Sequence, residues 1–431
     1  MNSSPTVPGI ADSPTWELYS RCIHCGLCLS ACPTYRVLGL EMDSPRGRIF
    51  QVAQVDAGRL AIGEAFVTHI DRCLDCRACE SACPSGVEYG RIVERARALI
   101  ELKYQRPWLE RKLRDFFFNA LLMDFRKLAR WARVLRFLQR SGLQRLARSL
   151  GMLKLFRLSD VDGLAPEMED KFFFAELGEM FPAIGERRAR VAFLAGCVAS
   201  VAFAELNRAT IRVLQQNGVE VVVPKDQGCC GALHAHAGFR QQARELARRN
   251  IRAMLDGGYD AIVTNAAGCG STIKEYHDLL ANDLDFSARA REFSEKTKDI
   301  TEFLIELGLR PPEQKSRACV TYQDPCHLAH GQRIRKAPRQ ILEALGCGLI
   351  EMPHSDYCCG SAGSYNITQT KLSMEILDRK MEDVASVVPE IIATANVGCM
   401  LQLRAGCHRK GLKAEVKHVI ELLDAAYRSK A

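Results

Sequence analysis

In the second half of the chain, short apolar runs alternate with longer stretches of helical period. VAFLAG (191–196), VEVVVP (219–224) and DAIVTNAAG (260–268) read as strands, with helices expected over 203–217 and 240–256. The order then repeats: ACVTYQD (318–324), a helix over 336–346, GLIEMP (348–353), a helix over 371–386, and EIIATANVG (390–398). Each series is βαβαβ, for which a parallel sheet is expected. Earlier in the chain, Leu121, Phe125, Leu128, Ala132, Leu135 and Leu138 recur at steps of three and four. Arg126, Lys127, Arg130, Arg133, Arg136 and Arg140 fill the positions between them, which makes a basic amphipathic helix. The flanking aromatics Trp108, Phe116, Phe117, Phe118, Trp131, Phe137 and Phe156 suit a surface where acyl chains meet anionic headgroups. Packing on the body with a solvated cationic face, or gripping an acidic partner subunit, are the alternatives.

The 431 residues are 47% hydrophobic and 26% charged, which fits roughly two to four globular domains and excludes wholesale disorder. The net charge of +8 is concentrated, since Lys103 to Arg157 holds 15 Lys or Arg against Glu110, Asp115 and Asp124. A basic block on a mildly acidic body points to a docking surface rather than general nucleic-acid affinity. No apolar run is long enough to span a membrane; the nearest, Val191 to Ala204, is interrupted by Gly196. The anomaly is 19 cysteines. The first residues, MNSSPTVPGIADSPT, have neither a basic start nor an apolar signal core, so a cytoplasmic setting with reduced thiols is expected. Reduced cysteines at this density bind metal or do redox chemistry.

Eight of them fall in two windows, CIHCGLCLSACP and CLDCRACESACP. These give Cys22, Cys25, Cys28 and Cys32 followed by Pro33, and Cys73, Cys76, Cys79 and Cys83 followed by Pro84. Three cysteines at this spacing let a curled loop wrap three corners of a cubane, while the fourth points toward the neighbouring cluster. The expected ligand sets of two [4Fe-4S] clusters are therefore crossed: Cys22, Cys25, Cys28 with Cys83, and Cys73, Cys76, Cys79 with Cys32. Zinc would leave the third cysteine and the proline of each motif unexplained. Arg46 and Arg48 in DSPRGRIF are placed to offset cluster charge, and Ser44 and Pro45 to start a helix. The head resembles a helical dicluster ferredoxin, an electron-transfer module.

The strand series carry their own cysteines. Cys197, Cys229, Cys230 and Cys269 in the first correspond to Cys326, Cys358, Cys359 and Cys399 in the second, at offsets of 129, 129, 129 and 130 residues. Agreement at four places means duplication. Each marked cysteine follows a strand, so thiols far apart in sequence should meet on one rim of each sheet, where open α/β folds hold ligands. Cys319, Cys347 and Cys407 have no counterpart and read as small buried hydrophobes. His234, His236, His327 and His330 lie beside the cysteine loops, where tuning, protonating, surface and capping roles are all open.

Head and repeats together resemble the iron-sulfur subunits of glycolate oxidases, within the cysteine-rich CCG-domain family that includes heterodisulfide reductase and anaerobic glycerol-3-phosphate dehydrogenase subunits. CIHCGLC, CPTYRVLG, DSPRGRI, DRCLDCRACESACPSGV, GCCGALHAH, GCGSTIKEY, CCGSAGSY and TANVGC carry the likeness. It implies a membrane-associated partner of FAD-containing subunits that oxidise glycolate to glyoxylate, passing electrons toward quinone. The expected architecture is α+β and multidomain: a tail (1–18), a dicluster ferredoxin domain (19–105), a basic helical connector (106–186), and two CCG domains with parallel sheets (187–310 and 311–431). No phosphate-binding glycine loop is present, so substrate chemistry is expected on partner subunits and no catalytic residue is assigned here. Heterodisulfide reductases close each CCG site with C-x-x-C, whereas Thr272 and Gln402 stand at those positions here. Each site thus offers four thiols, and further iron-sulfur clusters there are left open. The alternatives are the iron-sulfur subunit of a D-lactate or glycerol-3-phosphate dehydrogenase, a heterodisulfide-reductase-like catalyst, or a zinc-bound scaffold.

Overall fold

The computed structural model describes residues 12–144, 149 and 163–429. Residues 1–11 of the expected tail, and Phe156 and Arg157 of the basic stretch, lie outside the described residues.

The head is helical, as its sequence pattern leads one to expect. Short α1 (Trp16–Tyr19) precedes the first cysteine loop, and α2 (Pro33–Leu38) starts directly after Cys32. Helix α3 (Pro45–Asp56) begins where Ser44 accepts a hydrogen bond from Gly47 N at 3.0 Å, with Pro45 in its first turn, where no amide partner is needed. Helices α4 (Glu64–Asp71), α5 (Ala78–Ser81) and α6 (Tyr89–Lys103) complete it. Ile49, Val52, Phe66, Ile70, Ile92, Ala96 and Ile100 form its core. Next come α7 (Trp108–Asp115), a π-helical turn (Phe116–Leu121) and α8 (Phe125–Arg140), the last capped by the Asp124 side chain. Phe125, Leu128 and Ala132 of α8 are buried, but Leu138 is exposed, so the apolar stripe read from sequence covers the body only at its N-terminal end.

Two sheets follow. The first has the order β1-β3-β2-β4-β5, in which β2 (Ala189–Phe193), β3 (Val219–Val222), β4 (Ala261–Thr264) and β5 (Thr297–Asp299) are parallel. The second, β7-β6-β8-β9, is all parallel: β6 (Cys319–Tyr322), β7 (Gly348–Leu349), β8 (Ile391–Thr394) and β9 (Glu415–His418). Each therefore has one parallel strand more than the βαβαβ reading. The additions, TKD and EVKH, are too short and too charged to register as apolar runs. A second difference is β1 (Met180–Phe181), which lies in the stretch expected to be helical connector and pairs antiparallel with β3.

The two sheet units exchange helices. Val419–Arg428, at the end of the second, packs on Ala204–Gln216 of the first, where Arg212 holds Asp424 at 2.7 and 2.9 Å. In return, Ile300–Leu307 of the first packs on Lys336–Ala344 of the second. The two cores are continuous.

Head and sheet units meet at a buried knot of charge. His236 Nδ1 lies 2.8 Å from Glu94 and 3.0 Å from Asp75, and Arg240 reaches the other Glu94 oxygen at 3.3 Å. Arg77, 4% exposed, is gripped by both oxygens of Glu275. Burial opposes charge on His236, but Asp75 and Glu94 outweigh it and push its pKa up to about 9. Burial likewise opposes charge on Asp75, which His236, Arg77 and Arg97 nonetheless hold down at about 2. His327, stacked edge-on against His236, is kept neutral by burial and by the cations His236 and Arg77, at about 4.

Because the folded pKa of His236 is raised, its contribution to stability is complete below the unfolded value near 6.5 and is lost as pH rises through about 9. Thermal unfolding between pH 7 and 10 should therefore show a decline that His236→Gln flattens. Glu275→Ala, which strips buried Arg77 of its bidentate partner, should destabilise by about 3 kcal/mol in denaturant unfolding.

Candidate metal centres

Both head loops curl by the same device. In the first, His24 (φ 56°) and Gly26 (φ 84°) are left-handed; in the second, Asp75 (φ 52°) and Arg77 (φ 60°) occupy the same positions. Left-handed backbone is disfavoured for residues with a side chain, by about 1 kcal/mol or more, and persists only where surroundings impose it. Here it turns three cysteine side chains toward one point and aims backbone N–H groups at sulfur, as in Asp75 N to Cys73 Sγ at 3.3 Å.

Cys22, Cys25, Cys28 and Cys83 line one cavity, together with Arg46, Pro84 and Tyr89; Cys79 reaches its inner wall. Cys25 is exposed and the other three are half-buried. Cys73, Cys76, Cys79 and Cys32 are all buried, and Cys32 lies in electrostatic contact with Cys76 and Cys79. The structure thus brings the cysteine of each x3-C-P step to the other motif's triplet. Burial, then repulsion from neighbouring sulfurs, pushes the Cys76 and Cys79 thiols well up, so as free thiols they would stay protonated. A sulfur-only, desolvated donor set of this kind fits a thiophilic metal cluster, whose positive charge favours the thiolate form.

Arg46 and Arg48 take up the positions foreseen for them, by different routes. Arg46 donates to His24 O at 3.2 Å beside the exposed set while paired with Glu41. Arg48, 1% exposed, donates to Thr34 Oγ1 at 3.1 Å, and Thr34 Oγ1 lies 3.2 Å from Cys32 Sγ. Tyr89, whose hydroxyl donates to Cys73 Sγ at 3.5 Å, had no signal in the sequence.

At the carboxyl rims of the sheets the repeated cysteines converge. Cys197 and Cys229 sulfurs are 3.4 Å apart, and Cys230 and Cys269 sulfurs 3.1 Å. In the second copy Cys358 contacts Cys326 and Cys359, and Cys359 contacts Cys399. Gly360 N donates to Cys358 Sγ and Asn396 Nδ2 to Cys399 Sγ, each at 3.4 Å. Gly360 (φ 91°) admits no side chain, since a Cβ there would lie 2.5 Å from Ser373 O. Gln402, in the place of a closing cysteine, turns instead to Ser373 Oγ at 2.9 Å and accepts from Asn366. Thr272 is likewise buried.

The two rims differ in charge. Lys380, 2% exposed and donating to His354 O, faces the second set, and it joins the hydrogen bonds from Cys358 and Cys399 in pulling the Cys359 thiol down. At the first set the neutral Asn250 ties the loop, donating to Cys229 O. Lys380 sits in an amphipathic helix, where a sequence reading takes such a lysine for solvated. Beside Cys358, a cavity of about 220 Å³ opens between α2 and the second sheet unit, walled by Pro33, Arg36, Tyr357 and Lys380.

The second set also adjoins the head: Leu74, Cys76 and Ala78 pack with Cys358, Tyr365 and Ile376. The histidines face seams rather than sulfur. His234 donates to Phe118 O, His327 to Asp75 O and His330 to Asp356 O. Of the unpaired cysteines Cys407 is buried, while Cys319 and Cys347 are half-buried.

The chain matches the family model of the 4Fe-4S dicluster domain over residues 18–87 and that of the cysteine-rich domain over 191–274 and 320–404. The linker region of the glycolate oxidase iron-sulfur subunit matches residues 109–165. A probable glycolate oxidase iron-sulfur subunit of Bacillus subtilis is 39% identical over 94% of this chain and 93% of its own length. The glycolate oxidase iron-sulfur subunit of Escherichia coli is 35% identical over 95% and 94%. Lactate utilization protein A of Oceanobacillus iheyensis is 27% identical, over 54% of this chain and 96% of its own. With the thiol sets in place and likeness running from the first cysteine loop through the second sheet, the chain belongs to the family of glycolate oxidase iron-sulfur subunits.

Proposed function

We propose that this chain is the electron-transferring subunit of a flavin-dependent glycolate dehydrogenase. Glycolate loses two electrons and two protons to become glyoxylate on an FAD-bearing partner, and a quinone takes up two electrons and two protons at the far end. The chain carries iron-sulfur clusters in its dicluster domain. We assign one to Cys22, Cys25, Cys28 and Cys83 and the other to Cys73, Cys76, Cys79 and Cys32. When bound, these clusters supply one-electron carriers. The observation that supports this role is the gradient of exposure, from Cys25 at the surface to a buried set that abuts the cysteines of the second sheet unit. Cys326, Cys358, Cys359 and Cys399, with Lys380 as buried counter-charge, are the stronger candidates for a further redox metal group. Cys197, Cys229, Cys230 and Cys269 form its more nearly neutral counterpart.

The protein's own residues shape the site. The left-handed turns direct the thiols inward, Arg48 fixes Thr34 against Cys32, and Tyr89 and backbone N–H groups donate to sulfur, which raises a cluster's potential. Among the described residues no helix is long and apolar enough to cross a membrane. The proposed setting is the cytoplasmic face of the membrane. Trp131 and Phe137 (51% and 65% exposed) stand beside the exposed cations Arg126, Lys127, Arg130 and Arg133 on α8, a surface suited to anionic headgroups. D-lactate is the second reading for the substrate; the lactate utilization relative that spans about half of this chain supports lactate as a class, without choosing its hand.

Anaerobic purification of the tagged chain from native extract should retain a flavoprotein that reduces the complex with glycolate faster than with D-lactate. Cys83→Ser should abolish the cluster that a chelator reaches first and leave the chelator-resistant one; Cys32→Ser should do the reverse, each change removing about four iron atoms per chain. Replacing Arg126, Lys127, Arg130 and Arg133 with Gln should abolish sedimentation with phosphatidylglycerol vesicles at moderate salt, and unchanged sedimentation would exclude α8 as the contact.

A further inference from the structure

The two head loops are copies of one another, yet they meet different surroundings. Position by position, Ile23 and Leu27 of the first loop correspond to Leu74 and Ala78 of the second, and both loops share the same left-handed turns. Leu74 and Ala78 are 5% and 4% exposed, covered by Tyr365, Leu372 and Ile376 of the second sheet unit. That contact sets Cys76 in electrostatic range of Cys326. Within the molecule, then, the apolar pair of a head loop seats a second thiol-bearing unit against the loop's middle cysteine.

The first loop has the same pair without a cover. Ile23 and Leu27 are 67% and 58% exposed, and Cys25, the counterpart of Cys76, is exposed between them. On α3, Phe50 adds an exposed aromatic ring, 52% exposed and one helical turn beyond Arg46, whose guanidinium touches the loop at His24 O. The nearby cations are already matched, Arg46 by Glu41 at 2.7 Å and Arg21 by Glu88 at 3.6 Å. An apolar centre with a charge-balanced rim is the make-up of a protein interface rather than of a surface for anionic lipid.

We infer that Ile23, Leu27 and Phe50 form the docking face for the flavin-bearing subunit, seated on the first loop as the second sheet unit is seated on the second. This deepens the function proposed above and rests on it. The hydroxy acid's two electrons cross this face singly from the reduced flavin, and its two protons leave to water on the partner's side. Both electrons continue through the head to the quinone, which is reduced with uptake of two protons.

The test uses the complex purified through a tag on this chain, with Ile23→Asp/Leu27→Asp compared with wild type. The variant should retain at least tenfold less flavoprotein, while its iron and sulfide content and its dithionite-reduced paramagnetic spectrum stay those of wild type. Cluster reduction by glycolate through added flavoprotein should slow in proportion. Equal retention with equal glycolate-driven reduction would overturn the inference. So would normal flavin-to-cluster reduction with loss of quinone reduction, because the face would then be the exit. Should the double variant lose iron, Phe50→Asp, outside the cysteine loop, is read in the same assays with the same expectations. If wild type retains no flavoprotein, the proposed function itself fails, and this outcome is separable from the others.

Discussion

Sulfur held away from water is the condition on which the molecule depends. Thiols as buried as Cys76 and Cys79 resist ionisation, because each added negative charge meets both low dielectric and its neighbours' charge. A metal cluster resolves that conflict, and the protein contributes geometry. Left-handed turns at His24, Gly26, Asp75 and Arg77 are the local cost of pointing three sulfurs at one spot. The surrounding helices supply the packing that keeps those turns in place. Arg48 extends the same logic, a buried cation that reaches Cys32 only through Thr34 and so offsets charge without touching the thiol.

From this condition follows the way the modules are joined. The second loop could be buried only by giving Asp75 and Arg77 partners, and these come from other parts of the chain: His236 and Glu275 from the first sheet unit, Glu94 from α6. The knot is therefore the electrostatic counterpart of burying the loop. Its histidine reads in sequence as a neighbour of the CCG loop, whereas in the fold it faces the ferredoxin head. The result is a graded environment, wet at Cys25 and dry at Cys76, within one small helical module.

Much of this was legible because cysteine spacing is an unusually informative pattern. The crossed proximity of Cys83 and Cys32, the parallel sheets and the rim position of the repeated thiols all follow from local spacing and strand period. The observed helices Ala204–Gln216 and Thr370–Ala385 lie within a residue or so of their expected bounds. What escaped were features whose signal is not local. Strands β5 and β9 are three and four residues long and carry charge, so only their neighbours make them strands. Lys380 and Tyr89 became interior because distant segments cover them, and neither helical period nor composition reports such cover. The expected connector hid β1 because a two-residue edge strand leaves no period at all.

The exchange of helices between the two sheet units bears on how the chain is made. Ala204–Gln216 packs on Val219–Val222 and Cys197–Ala202 of its own unit, but its other flank is covered by Val419–Arg428, some two hundred residues downstream. During synthesis the first unit therefore emerges with one flank open, and it stays open until Val419–Arg428 has been made. A duplication that had simply placed two finished units in tandem would have had no such dependence. Here each half covers a helix of the other, and loss of Val419–Arg428 should be felt first at the opposite half of the molecule.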